Sequence, residues 1–483
     1  MDSKKGDEKA GARLSRREVL TGVLGAAATA GLAACGGSSS GDGSEPIDRP
    51  MPPDAVTLPS PEDAGFDHVV IVMMENRTFD HMMGWVPGAD GIQAGVQYED
   101  KNGDLIQSFP LAEHQEYGFQ GCGKEDPAHN YSAGRAHFAG GAMDGFLKTV
   151  GDASVEIDHF PVGYYRREDL PFFDGCATHW TIFDRFFHGI LASTFPNRMY
   201  LHSGQTDRTS NSLDISSLPT IWDRADSAGL SSAYYFHDLP VTALWGAKYL
   251  TRSRRFESFL LEAALGQLPN ISIVDPRFLG EAPNGISNDD HPQADVRNGQ
   301  AFMASIYDAV RNSPNWERTV LVYCYDEWGG FYDHVAPPLA PVSDDEAALE
   351  NDGRLGFRVP AIVIGPRARR GHVAHEQYDI NSVLNMVCWR WGLEPLGVRG
   401  DWSLNLAYAL DFDAEPDLSA PDFGVPLGPF GVECTTGLPF PIPTFPGSPL
   451  KPGELSSASI SHAQHNLEWL SLRNVARKYG FDV

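Results

Sequence analysis

Two apolar runs in this chain are continuous where a half-exposed strand would alternate. His68-Val69-Val70-Ile71-Val72-Met73-Met74 and Thr319-Val320-Leu321-Val322-Tyr323 present apolar side chains on both faces of an extended backbone. Strands of this kind belong in a sheet covered on both sides, the situation of parallel sheets in α/β proteins. Both runs end in acids: Glu75 with Asn76 after the first, Asp326 with Glu327 after the second. Ligands of open α/β sheets bind at the carboxyl ends of strands, so these side chains are expected to share one crevice.

The remaining pattern fits the same architecture. Strands are predicted at residues 232–236, 271–274 and 359–364, and helices at 300–311 and 379–391. Such alternation predicts an α/β fold, a three-layer sandwich around a central, mostly parallel sheet. Residues 93–158 are polar, Gly-rich and weakly periodic, which predicts long functional loops. From about 414 to 453 the chain is Pro-rich and is expected to wrap the surface in extended form. An amphipathic helix over about 461–479 closes the chain, with Leu467, Leu470 and Val475 expected to dock on the sheet.

The first residues read as an address. Ser15-Arg16-Arg17-Glu18-Val19-Leu20 precedes an Ala/Gly-rich apolar segment too short to span a bilayer, and together they resemble a twin-arginine export signal. Leu32-Ala33-Ala34-Cys35 resembles a bacterial lipobox, which implies a lipidated Cys35 and a membrane tether. The expected division is a signal peptide at 1–35, a flexible linker at 36–61 and one domain at 62–483. The expected location is outside the cytoplasm, as a cell-surface lipoprotein or a secreted protein. A net charge of −27 excludes nucleic acid as a partner, because phosphate backbones are bound by clustered Lys and Arg. No protein partner is expected. The six cysteines match no zinc spacing.

Glu75, Asn76, Asp326 and Glu327 supply hard oxygen donors for a divalent cation; calcium, magnesium, manganese and iron all suit them. Thr194 adds a hydroxyl, which loses its proton more readily beside such an ion, and the combination suits phosphoryl transfer. His129, His291 and His334 each lie near an acid in sequence and offer a positive group for phosphate charge or a proton for a leaving alcohol.

Four motifs occur in a recognisable order: Glu75-Asn76-Arg77-Thr78-Phe79-Asp80-His81, Thr194-Phe195-Pro196-Asn197-Arg198, Asp326-Glu327-Trp328-Gly329-Gly330-Phe331-Tyr332-Asp333-His334 and Gly356-Phe357-Arg358-Val359-Pro360. In these the chain resembles the bacterial phosphoesterase family of phosphatidylcholine-type phospholipases C and acid phosphatases. The resemblance implies an alkaline phosphatase-like fold, metal ligation by Glu75, Asn76, Asp326 and Glu327, and Thr194 as nucleophile. It also implies that His129, His291 and His334 line the phosphate pocket.

Ala192-Ser193 stands where the family has Gly-Pro, which makes Ser193 a rival hydroxyl. The Thr-x-Pro-x-Arg spacing also resembles that of sulfatases, but Thr cannot form the aldehyde hydrate they need. The implied activity is an exported, metal-dependent phospholipase C acting on phosphatidylcholine-like diesters through a phospho-Thr intermediate. The alternatives are an acid phosphatase acting on monoesters, or a non-catalytic lipoprotein that binds a phosphorylated ligand. For a choline-like headgroup the candidate aromatics are Tyr164, Tyr165, Trp180 and Trp328.

Overall fold

The computed structural model describes residues 47–432 and 457–483, apart from 55, 122–123, 150–157 and 280–286. The chain divides into Met1–Glu45 and Pro46–Val483. The first unit, with the export signal and Cys35, lies outside the described residues, as does the last part of the Pro-rich stretch. Among the described residues no helix is long and apolar enough to cross a membrane.

One sheet organises the second unit. Its strands are β1 (His68–Met74), β2 (Thr181–Phe183), β3 (Ser232–Phe236), β4 (Ser253–Arg255), β5 (Ile271–Val274), β6 (Thr319–Tyr325), β7 (Ile362–Ile364) and β8 (His372–Ala374). They lie in the order β8-β2-β7-β6-β1-β5-β3-β4. Strand β7 runs antiparallel to both neighbours and every other pairing is parallel, which matches the expected mostly parallel sheet. The two continuous apolar runs are the adjacent central strands. β6 is buried at every residue, and β1 at all but His68. Full burial of each aliphatic side chain there contributes about 1.5–3 kcal/mol.

Helices cover both faces. On β3, Tyr234 meets His202 edge-on at 5.8 Å, while its neighbour Tyr235 meets Phe259 edge-on at 5.3 Å. Successive strand residues point to opposite sides, so the helices carrying His202 and Phe259 lie on opposite faces. The first layer holds Thr194–Ser203 packed on Ile380–Trp391; the second holds Phe256–Ala264 and Pro171–His179, both packed on Val296–Arg311.

Two expectations change, and three short strands are added. Residues 93–158 are not all loop, since Tyr131–Phe138 is a helix whose first turn is held by Asn130, its side chain accepting from the N–H groups of Ser132 and Ala133. The short strands β2, β4 and β8 carry too few residues to show a period. The terminal helix, Ser457–Lys478, buries Trp469, Leu472 and Ala476, whereas Leu467, Leu470 and Val475 are only partly covered. Residues 414–432 have no helix or strand. Phe423 stacks on Tyr307 at 4.9 Å, and the carbonyls of Ala420 and Pro421 accept from Arg311 and Tyr307.

The register brings the strand ends level. Met74 of β1 pairs with Tyr325 of β6, and the N–H of Asp326 donates to the Met74 carbonyl at 3.1 Å. Just beyond, a buried guanidinium ties the two segments that leave these strands. Arg358 donates to Asp333 at 2.9 and 3.1 Å and to Asp80 at 3.1 Å, and to the carbonyls of Asp90 and Asp184 at 2.5 and 2.8 Å. Arg358, Asp80 and Asp333 are fully buried. Replacing Arg358 by Met takes the guanidinium from buried Asp333 and leaves buried Asp80 paired with His334 alone. The expected loss is about 3–5 kcal/mol, read as a lowered denaturant midpoint with an unchanged slope. A midpoint equal to wild type would remove this cluster from the account of stability.

Candidate active site

Thr194 and Arg198 sit four residues apart on the helix Thr194–Ser203, so they occupy the same helical face. Arg198 is buried and reaches three strand ends. It donates to Asp326 after β6 at 3.1 Å, to Asp275 after β5 at 3.0 Å, and to Glu75 after β1 at 3.4 Å. The hydroxyl-bearing first turn is thereby fixed to the acid-bearing sheet edge. Asn197 shapes the approach to that turn. Its amide donates to the carbonyls of Ile190, Ala192 and Ser193, and its oxygen accepts from the N–H of Ile190. Thr194 and Ser193 are both largely buried, at 5% and 7% exposed.

Glu75, Asn76, Asp326 and Glu327 are all fully buried. The N–H of Asn76 donates to Asp326 Oδ1 at 3.2 Å, and Asn76 holds a positive φ of 61°, a conformation uncommon outside Gly. Gly329 and Gly330 make the close approach of the two strand ends feasible. Both have positive φ, and a Cβ on Gly329 would stand 2.1 Å from the Asn76 carbonyl, one on Gly330 2.5 Å from Pro127. Glu75 Oε2, both polar side-chain atoms of Asn76 and Glu327 Oε1 are buried and take no hydrogen bond. Glu75, Asn76 and Glu327 thus offer unmet oxygens of the hard type a divalent cation takes, whereas both oxygens of Asp326 already accept, one from the Asn76 N–H and one from Arg198.

Electrostatics point the same way. Burial, with the nearby Asp326 charge, pushes the Glu75 carboxyl well above its ordinary range. Burial raises Asp326 to about 6 against the pull of Arg198, and Glu327 to about 8 against the pull of His129. Burial opposes a charged His129, yet Glu327 and Asp126 more than offset it and hold that imidazole up at about 9.

Two of the three expected histidines come together. His129 Nδ1 donates to the Pro127 carbonyl at 2.7 Å and lies 3.6 Å from Asp126, while its Nε2 is 3.8 Å from Glu327. His291 Nε2 is 3.4 Å from the same Asp126, and the two rings stand 6.1 Å apart. Neither of the other expected acid pairings forms as adjacency suggests. Asp290 accepts instead from the Tyr325 hydroxyl at 2.5 Å. His334 departs from the expected phosphate pocket: Nδ1 bonds Asp80 at 2.6 Å and Nε2 faces Asp90 at 3.1 Å. Both ring nitrogens are spent on carboxylates of the Arg358 cluster, which leaves none for a phosphate. The four candidate headgroup aromatics, Tyr164, Tyr165, Trp180 and Trp328, are all buried and form no open cage.

Three contributors, Asp275, Asp289 and His465, escaped sequence reasoning, and Asp126, expected beside His129, also reaches His291. Asp275 repeats the pattern of an apolar strand ending in an acid, Ile271-Ser272-Ile273-Val274-Asp275, and that signal was available. Asp289 is fully buried, its carbonyl accepting from the N–H of Glu75 at 2.8 Å. Asp126 joins the two histidines. His465 reaches the site from the terminal helix, with its ring stacked on His291 at 3.5 Å.

The raised carboxylates set a pH dependence. In the cation-free protein they bind protons in the folded state at pH values where the unfolded chain has released them. Their stabilising effect is therefore full below pH 4 or so and is lost as pH rises through about 6 for Asp326 and about 8 for Glu327. Chelator-treated protein is expected to melt at progressively lower temperature from pH 5 to pH 8, and an added divalent cation to raise Tm more at pH 8 than at pH 5. A Tm that is flat or rising over this interval without cation would contradict the assignment.

Comparison with known proteins follows the same residues. A family model described as the phosphoesterase family matches residues 66–394. Non-specific phospholipase C1 of Arabidopsis thaliana is 33% identical over 335 residues, covering 64% of this chain and 62% of the relative. Phospholipase C A of Mycobacterium tuberculosis (strain ATCC 25618 / H37Rv) is 27% identical over 491 residues, covering 86% of this chain and 88% of the relative. The chain spans less than two thirds of the length of the Arabidopsis relatives C1 and C6. Among solved structures, a protein in the alkaline phosphatase superfamily from Vibrio parahaemolyticus is 9% identical with a TM-score of 0.35, covering 72% of this chain and 69% of that one. With its four motifs all inside the matched segment, the chain belongs to the phosphoesterase family.

Proposed function

We propose that the protein is a metal-dependent phosphoesterase of phospholipase C type, cleaving phosphatidylcholine-like diesters between glycerol and phosphate. The observation that carries this reading is Arg198, which joins the helix turn bearing Thr194 to three acid-bearing strand ends. The names of the relatives, phospholipases C from a plant and a mycobacterium, support the diester class. Glu75, Asn76, Asp326 and Glu327 would hold a divalent cation, which when bound lowers the pKa of a nearby hydroxyl and polarises a phosphoryl oxygen.

The chain's own groups divide the remaining work. The Thr194 hydroxyl gives its proton to a carboxylate of the crevice as Oγ1 bonds phosphorus, and the P–O bond to the diacylglycerol oxygen breaks in line. His129, whose imidazole Glu327 and Asp126 push toward its protonated form, meets the charge that grows on the phosphoryl group, and with His291 beside it can pass a proton to the departing alcohol. Water then attacks the phospho-Thr and restores the hydroxyl. Burial of Thr194 and of the surrounding acids keeps bulk water from the attacking oxygen until product leaves. An export signal at 1–35 with a lipidated Cys35 would place this chemistry at a membrane surface.

One observation favours a second reading. Since Tyr164, Tyr165, Trp180 and Trp328 are enclosed, none of them offers a face to a choline cation. The enclosure of these four suits a phosphomonoesterase equally well. Turnover of a phosphatidylcholine compared with that of p-nitrophenyl phosphate separates the two. Higher kcat/KM on the lipid is expected, and cleavage of the monoester alone would overturn the phospholipase assignment. Thr194→Ala is expected to lower kcat by at least about a thousandfold and leave cation affinity unchanged, whereas Ser193→Ala keeps activity. His129→Gln is expected to cost about 10²–10⁴ in kcat. An active Thr194→Ala enzyme would transfer the nucleophile role away from Thr194.

A further inference from the structure

The terminal helix Ser457–Lys478 lies outside residues 66–394, the segment that carries the family match, yet it is seated on the catalytic crevice. Trp469 stacks on Phe278 with ring centres 4.0 Å apart and meets Phe195, the residue after Thr194, edge-on at 5.5 Å. Asn211 bridges the same two segments, donating to Glu468 at 2.7 Å and accepting from the N–H of Phe195 at 2.8 Å. His465 stands one turn before Trp469 on the same helical face and is held there by its stack on His291.

This placement brings a nitrogen donor to the acids. A ring nitrogen of His465, a carboxylate oxygen of Glu75 and one of Asp289 lie within 4.8 Å of one another. Glu75 and Asp289 are fully buried, and Glu75 Oε2 and Asp289 Oδ2 take no hydrogen bond. The three donors come from three segments far apart in sequence, and Glu75 also belongs to the oxygen set of Asn76, Asp326 and Glu327. We propose that His465 is a direct ligand of the crevice cation, so that the terminal helix, with Glu75 and Asp289, completes the site. This rests on the reading that the crevice holds a divalent cation. An imidazole among carboxylates shifts the preference from calcium and magnesium toward manganese, iron or zinc.

The test uses full-length, chelator-treated protein loaded with Mn²⁺ alone and read by pulsed EPR, where a coordinated imidazole imprints a nitrogen modulation on the echo. The wild type is expected to show the modulation, and His465→Gln to lose it while Mn²⁺ affinity falls at least about tenfold. His465→Glu, which keeps a donor without a nitrogen, is expected to bind Mn²⁺ with no modulation. His291→Gln is expected to keep the modulation. Bound Mn²⁺ without modulation in the wild type, or a modulation that survives in a folded His465→Gln protein, would overturn the role of His465. A wild type that binds no Mn²⁺, zinc or iron would instead overturn the cation reading beneath it.

Discussion

One guanidinium holds the site together and is outnumbered there. Arg198 bonds Asp326, Asp275 and Glu75 at three strand ends, while Asp289 and Glu327 add further carboxyl groups close by. A buried charge without a partner costs several kcal/mol, so a single positive group cannot keep all these acids ionised. The excess must be met by protons or by a bound cation. Their upward-shifted pKa values are the proton solution, and the unmet oxygens of Glu75, Asn76 and Glu327 are the opening for the other. Neutralisation by a cation would also free the acids from their protons at neutral pH.

The loop after the central strand β6 serves two clusters at once. Its first part gives Asp326 and Glu327 to the crevice, and its last part gives Asp333 and His334 to Arg358. Gly329 and Gly330 form the joint. At both positions a side chain would strike backbone or ring atoms of the facing segment, and the backbone itself is left-handed. The Gly pair and the Gly356-Phe357-Arg358 motif are therefore parts of one arrangement, in which Arg358 fixes the far end of the loop so that the near end meets Glu75 and Asn76.

Much of this was legible because burial and chemistry coincide at strand ends. Continuous apolar runs identified β1 and β6 as central strands, and the acids that follow them could only lie at the carboxyl edge of the sheet. Thr194 was singled out by the resemblance of its motif to the family's, whereas the jobs of Asn197 and Arg198, stapling a turn and binding acids, needed coordinates. Adjacency in sequence misled for His334 and Asp290, because partners 35 to more than 250 residues away outcompete a neighbour whose side chain points elsewhere. The terminal helix was expected, but on the wrong face. The buried stripe of Trp469, Leu472 and Ala476 itself has helical spacing, and the stack of Trp469 on Phe278 marks it as the docked face. His465 and Asp289 carry no local signal, since their meaning arises only from where the chain returns.

The central claim is that the acids around Arg198 form a cation cradle. Anomalous diffraction from crystals grown with Mn²⁺ examines it most directly. The account predicts a strong peak within bonding distance, about 2.0–2.3 Å, of oxygens from Glu75, Asn76, Asp326 and Glu327. Crystals at neutral pH with Mn²⁺ in the mother liquor and no anomalous density between these side chains would contradict it.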